Sequence, residues 1–163
     1  MRDLAVIVGC GPCWNLAHTV RAPHDLFVVN RAAFNFPDGF KYWCSLHHEM
    51  FPQWIEHFHQ EVHGKGGYAT HALRPGECVD HAWKERWGNH MYGTSSFFAM
   101  RIALDKGYQR VVLAGVPLRD ESGKRLYGRR SMAAWPDFAA TKDAEKVCSL
   151  SGLTRELLGG YEQ

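Results

Sequence analysis

Cys10 and Cys13 stand two residues apart in Gly9-Cys10-Gly11-Pro12-Cys13, directly after the apolar run Leu4-Ala5-Val6-Ile7-Val8. Two chemistries fit these letters. A Cys-x-x-Cys pair heading a helix is a dithiol redox motif. A buried strand that breaks into a glycine turn and then a helix is instead how parallel α/β domains hold phosphate-bearing ligands. Glycine there lets the backbone approach the ligand closely. The order of elements favours phosphate: the run is the first strand, and no later proline segment is placed to face a dithiol. Cys10 and Cys13 are then small loop residues, with a purely structural turn as the bland alternative.

Other residues able to act on a ligand fall where strands should end. Asn30 and Arg31 follow the apolar run Asp25-Leu26-Phe27-Val28-Val29. An asparagine offers both a donor and an acceptor, as ribose or base recognition requires, although it also serves as a plain turn residue. His47-His48-Glu49 follows Lys41 to Leu46. His47 is the candidate acid or base, since imidazole titrates near neutrality, against the commoner structural role of a lone histidine. Thr94-Ser95-Ser96 opens an apolar helix, with hydroxyls suited to capping and amides suited to a phosphate. Gly115 ends the run Arg110 to Ala114.

Three further clusters are weaker. His57, His59 and His63 suggest a metal set, but His57 and His59 do not share a helix face, and a solvated face explains them better. Cys78 with His81 is similarly weak. Lys124, Arg125, Arg129 and Arg130 form a basic cluster that either reaches over the site to phosphates or is a solvated loop.

The elements that must position these residues alternate. Strands are predicted over 4–8, 25–30, 41–46, 68–73, 110–116 and 146–149. Helices are predicted over 13–21, 49–62, 97–106 and 153–158, with Ser151 capping the last. Phe51, Trp54, Ile55, Phe58 and Val62 recur at helical spacing in the second of these. Residues 74–92 have no clear period, and 119–131 read as a polar, basic loop. Strands alternating with helices give an α/β fold: a Rossmann-like, mainly parallel sheet with helices on both faces. Ligands of such sheets bind at the carboxyl ends of the strands, where the candidate residues lie.

Composition bounds the rest. The 163 residues suit one domain, 1–163, with 45% apolar and 22% charged residues. A net charge of +2 gives no reason to expect nucleic acid as an obligate partner. Five scattered cysteines make no disulfide framework, and no run reaches the length of a signal peptide core or a membrane span. The expectation is a cytoplasmic protein without a membrane partner, metal or cofactor, and homo-oligomerisation stays open. The aromatic content exceeds what a small core needs, so some rings are available to line a pocket.

Val6-Ile7-Val8-Gly9-Cys10-Gly11-Pro12, Asp25 to Asn30, and Thr94-Ser95-Ser96 through Gly107-Tyr108 to Leu113-Ala114-Gly115-Val116 follow one recurring order. This resembles the bacterial sialyltransferase-like fold and the related archaeal hydroxymethylpterin diphosphokinase-like proteins, and short phage-encoded proteins look similar. The resemblance covers about 90 residues and is most specific over 93–116. It implies a nucleotide pocket formed by Gly9, Cys10, Gly11, Asn30, His47, Thr94, Ser95 and Ser96, to which the reading of the strand ends adds Pro12, Arg31 and Gly115. The family's general-base histidine after the last glycine is missing, since no histidine follows His90. Its paired tyrosines are reduced to Tyr127 and Tyr161, and its Thr-Ser-Gly turn reads Thr94-Ser95-Ser96.

Two functions follow from the resemblance. One is a glycosyltransferase-like enzyme using a nucleotide sugar, with His47 as base. The alternative is a non-catalytic, phage-type binder that sequesters a nucleotide-derived immune signal. Diphosphate transfer to a pterin would need metal-binding acids, for which only Asp120 and Glu121 offer themselves.

Overall fold

The computed structural model describes residues 3–83, 93–120 and 122–162. Its strands are Leu4–Val8 (β1), Asp25–Val29 (β2), Tyr42–Ser45 (β3), Ala69–Ala72 (β4), His81–Ala82 (β5), Arg110–Ala114 (β6) and Val147–Ser149 (β7). They form one seven-stranded sheet in the order β5-β4-β3-β2-β1-β6-β7, and every pairing is parallel. β1 is central, with Val6 in register with Leu26 on one side and Val112 on the other. All five of its residues are buried, as a strand covered on both faces requires.

Alternation along β1 assigns its side chains to two cores. Ala5 and Ile7 pack with the helices Ser95–Asp105 (α2) and Arg129–Ala139 (α3) through Phe97, Phe98, Met100, Met132, Trp135 and Phe138. Leu4, Val6 and Val8 pack with Phe51, Trp54 and Phe58 of the helix Phe51–Gln60 (α1). A fourth helix, Gly152–Leu158 (α4), follows β7. The fold is therefore α/β, with a parallel Rossmann-like sheet covered on both faces.

The chain steps outward from β1 to β5, returns through α2, and enters β6 on the opposite side of β1. The strand order therefore reverses between β1 and β6, and in an open sheet that reversal leaves a crevice at the carboxyl ends.

Several elements differ from the sequence expectation. The segment after the first glycine turn is a 3₁₀ helix, Trp14–Thr19, in place of an α-helix over 13–21. Asn30 leaves the second strand and opens another 3₁₀ helix, Asn30–Asn35. The expected loop over 119–131 is a hairpin with an antiparallel bridge between Arg119 and Arg125, followed by the start of α3 at Arg129. Asp120 builds the hairpin turn: its Oδ1 accepts from the Ser122 amide and hydroxyl and from the Lys124 amide. Ser151 precedes α4 but makes no capping bond. Of the connection expected over 74–92, residues 84–92 lie outside the described residues, and so does Glu121.

Candidate functional site

At the strand reversal the loops after β1 and β6 are joined main chain to main chain. The Gly9 amide donates to Ala114 O and the Gly11 amide to Gly115 O, both at 2.8 Å. A Cβ on Gly9 would lie 2.5 Å from Gly115 O and 2.9 Å from Ser96 Oγ. A Cβ on Gly115, at φ +67°, would lie 2.6 Å from Gly9 O. The glycines are thus required for contact between two loops. The amides of Gly9 and Gly11 are both bonded within the protein.

The Gly9 and Ser96 contact places the segments 9–11 and 94–96 side by side. Thr94, Ser95 and Ser96 are buried. Thr94 Oγ1 accepts from the Phe97 amide at 3.2 Å, the helix cap that the sequence suggests. Ser95 Oγ accepts from the Leu46 amide at 3.2 Å. The Ser95 hydroxyl thereby fastens α2 to the end of β3.

In front of the joined loops lies a cleft of about 620 Å³, lined in part by Cys10, Gly11, Pro12, Asn30, Arg31 and His47. Six residues singled out from sequence thus meet in one depression, whereas Gly9, Thr94, Ser95, Ser96 and Gly115 do not line it. Ala32, Asn35 and the rings of Trp14, Phe34 and Trp54 complete its walls. These rings come from three separate segments and were missed, although the aromatic surplus in the composition pointed to some such use. The volume is that of a small-molecule pocket.

Asn30 is the best-determined polar group in the cleft. It sits at φ 51°, a left-handed conformation that asparagine tolerates better than most residues. Its carbonyl accepts from Trp43 Nε1 at 2.7 Å. Its Oδ1 accepts from Ser45 Oγ at 2.7 Å, and Ser45 Oγ in turn accepts from the His47 amide at 2.8 Å. Ser45 is fully buried, so its single proton must go to an acceptor, and that identifies the facing atom of Asn30 as oxygen. Nδ2 is left as the open donor.

Arg31 lies 5.5 Å from the centroid of the Phe34 ring, in cation–π range. The side chain of His47 is 61% exposed, and its Nδ1 lies 3.6 Å from Glu49 Oε1. His48 Nδ1 lies 3.3 Å from the other carboxylate oxygen. The Glu49 carboxyl is held below its ordinary range, chiefly by its own amide and further by the two imidazoles. It therefore stays ionised beside His47 at neutral pH.

Cys10 Sγ donates to Val29 O at 3.2 Å. Cys13 Sγ lies 2.9 Å from Ser151 Oγ. Both cysteines are free. The partners belong to elements on opposite sides of β1, so the two thiols diverge. Burial of its sulfur pushes the Cys10 thiol up, only partly offset by the amides of Ala32 and Arg31. A raised thiol is a poor nucleophile, and redox chemistry at this pair has no geometric support.

His57, His59 and His63 are exposed. His59 is occupied by Gly64 O and Tyr68 Oη, and His57 rests on Phe34. Among the described residues no group of three or more His, Cys, Asp or Glu is placed to hold a metal ion. No described helix is long and apolar enough to cross a membrane. Arg125 and Arg129 do not line the Asn30 cleft but a separate one. Compared with protein-family models, characterised proteins and solved structures, the chain matches none.

Proposed function

We propose that the Asn30 cleft binds the nucleotide part of a nucleotide sugar and that the protein is a sialyltransferase-like glycosyltransferase with His47 as general base. The observation that carries this reading is the Ser45–Asn30 relay, which presents one fixed amide donor between an aromatic wall and a histidine. Trp14, Phe34 and Trp54 supply faces for a base. Asn30 Nδ2 supplies a donor for base or ribose, and Arg31 supplies charge for a phosphate. His47 takes the proton from an acceptor hydroxyl, with the Glu49 carboxylate 3.6 Å from its Nδ1. Calorimetry with the four common nucleoside monophosphates, followed by mass spectrometry after incubation with nucleotide sugars, tests the proposal. The expected result is binding of one nucleotide at micromolar concentration and a transferred sugar. His47→Ala should abolish transfer and leave nucleotide affinity nearly intact; transfer by this variant at the unaltered rate refutes the assignment of the base.

The exposure of His47 favours one second reading. A base this open to water is poorly shielded from hydrolytic side reactions, which fits a cleft that holds a nucleotide-derived signal without altering it. Quantitative recovery of unchanged ligand selects this alternative, and a modified ligand excludes it.

A further inference from the structure

Two placements on the other side of Pro12 run against local electrostatics. In the hairpin, Arg119 and Arg125 face each other directly across an antiparallel bridge, and like charges so opposed destabilise a ladder. In α3, the first turn carries Arg129 and Arg130 with no acidic residue, and Gly128 provides no side-chain cap. Cations belong at the opposite end of a helix, and the first amides here lack an intrahelical acceptor. The Asp120 carboxylate is committed to the hairpin turn. Among the described residues, none of Arg119, Arg125 and Arg129 has an ion-pair partner.

Both anomalies open on one cavity. Arg119, Arg125 and Arg129 line a cleft of about 520 Å³ whose remaining walls include Met132, Pro136, Leu153 and Leu157 of α3 and α4. It shares no lining residue with the Asn30 cleft. Positions that break local rules together, with no compensating ion pair among the described residues, point to a functional site. We infer that this cleft is a second binding site, for a soluble organic anion with a phosphate or carboxylate head and an apolar body. The head sits among the three guanidinium groups at the start of α3, where it neutralises the opposed arginines and meets the free amides. The body lies on Met132, Pro136, Leu153 and Leu157. A concave cleft of this volume fits a small molecule better than a flat lipid surface or a protein partner.

Octyl phosphate, kept below its aggregation concentration, is the probe, and titration calorimetry on the whole chain is the readout. The expected result is one site per chain, at least tenfold weaker with neutral octyl glucoside. The R119A/R125A/R129A variant should lose at least tenfold in affinity and, without ligand, melt no lower than the parent, because mutual repulsion has been removed. Leu157→Trp, which fills the apolar part and leaves the arginines, should also lose binding, so the test survives misfolding of the triple variant. Asn30→Ala should bind the probe unchanged, which separates this site from the nucleotide cleft. Equal binding of octyl phosphate to the triple variant, or its loss in Asn30→Ala, overturns the proposal. So does arginine-dependent co-sedimentation with phosphatidylglycerol vesicles where the soluble probe fails to bind, because the anion would then be a membrane headgroup.

Discussion

Ser45 Oγ, fully buried at the end of β3, donates to Asn30 Oδ1 at 2.7 Å and thereby fixes which face of that amide the cleft receives. Ser45→Ala deletes this bond and leaves the His47 amide without its acceptor. Stability should fall by about 1–2 kcal/mol. Nucleotide affinity should fall at least fivefold, because the amide can now rotate. Chemical denaturation and calorimetry on the same preparation check both; an unchanged affinity means that the relay does not serve recognition.

Substitutions at Asn30 itself separate conformation from chemistry. Asn30→Gly accepts φ 51° freely, whereas Asn30→Ala pays the left-handed penalty. The alanine variant should be less stable than the glycine variant by about 1 kcal/mol. Both remove Nδ2, so both should lose nucleotide binding to the same extent. Equal stabilities would show that the backbone relaxes out of the left-handed region.

Gly9→Ala drives a methyl group into Gly115 O, a main-chain atom that cannot swing aside. A destabilisation of about 3 kcal/mol is expected, visible as a lowered denaturation midpoint. A variant as stable as the parent would show that the β1 and β6 loops are not locked together.

His71 makes the acid limb of stability predictable. It is fully buried; its Nδ1 accepts from Trp83 Nε1 at 2.9 Å, and its Nε2 has no partner among the described residues. Burial, reinforced by the charges of Lys106 and His81, pulls its pKa down to about 3. Between about pH 6.5 and pH 3 the unfolded chain binds a proton at this site and the folded chain does not. Stability should therefore decline on acidification through that window, by at most about 1.4 kcal/mol per pH unit, and be unaffected by His71 above pH 7. His71→Phe should flatten the decline, as urea denaturation at pH 7 and pH 5 will show. An equal slope in the variant rejects His71 as its source.

Much of the fold was legible because its signals are local. A run such as Leu4-Ala5-Val6-Ile7-Val8 admits few fates beside a central parallel strand. The capping by Thr94 was equally plain. α3 was not seen, although Met132, Trp135 and Phe138 keep a three-residue spacing. Pro136 inside it, and Arg129-Arg130 at its start, are both unfavourable to a helix in isolation. The packing of Trp135 and Phe138 against Phe97, with Met132 in the same core, decides the matter, and that is tertiary information. At the cleft, the polar residues at strand ends were readable from their positions. The aromatic wall was not, because Trp14, Phe34 and Trp54 become neighbours only when β1, β2 and α1 are assembled. Nor could the letters show that Gly9 and Gly11 spend their amides on β6. That the same turn suits a ligand or a neighbouring loop is a choice made by what lies opposite it.

The outermost strands of the sheet carry a consequence for self-association. β5 spans two residues and β7 three, and Ser149 of β7 is further occupied by a bridge to Gly160. Rims this brief offer an approaching copy very few unpaired main-chain groups to extend the ladder. Among the described residues, extension of the sheet by a second copy, and fibrillar stacking through it, are therefore structurally discouraged.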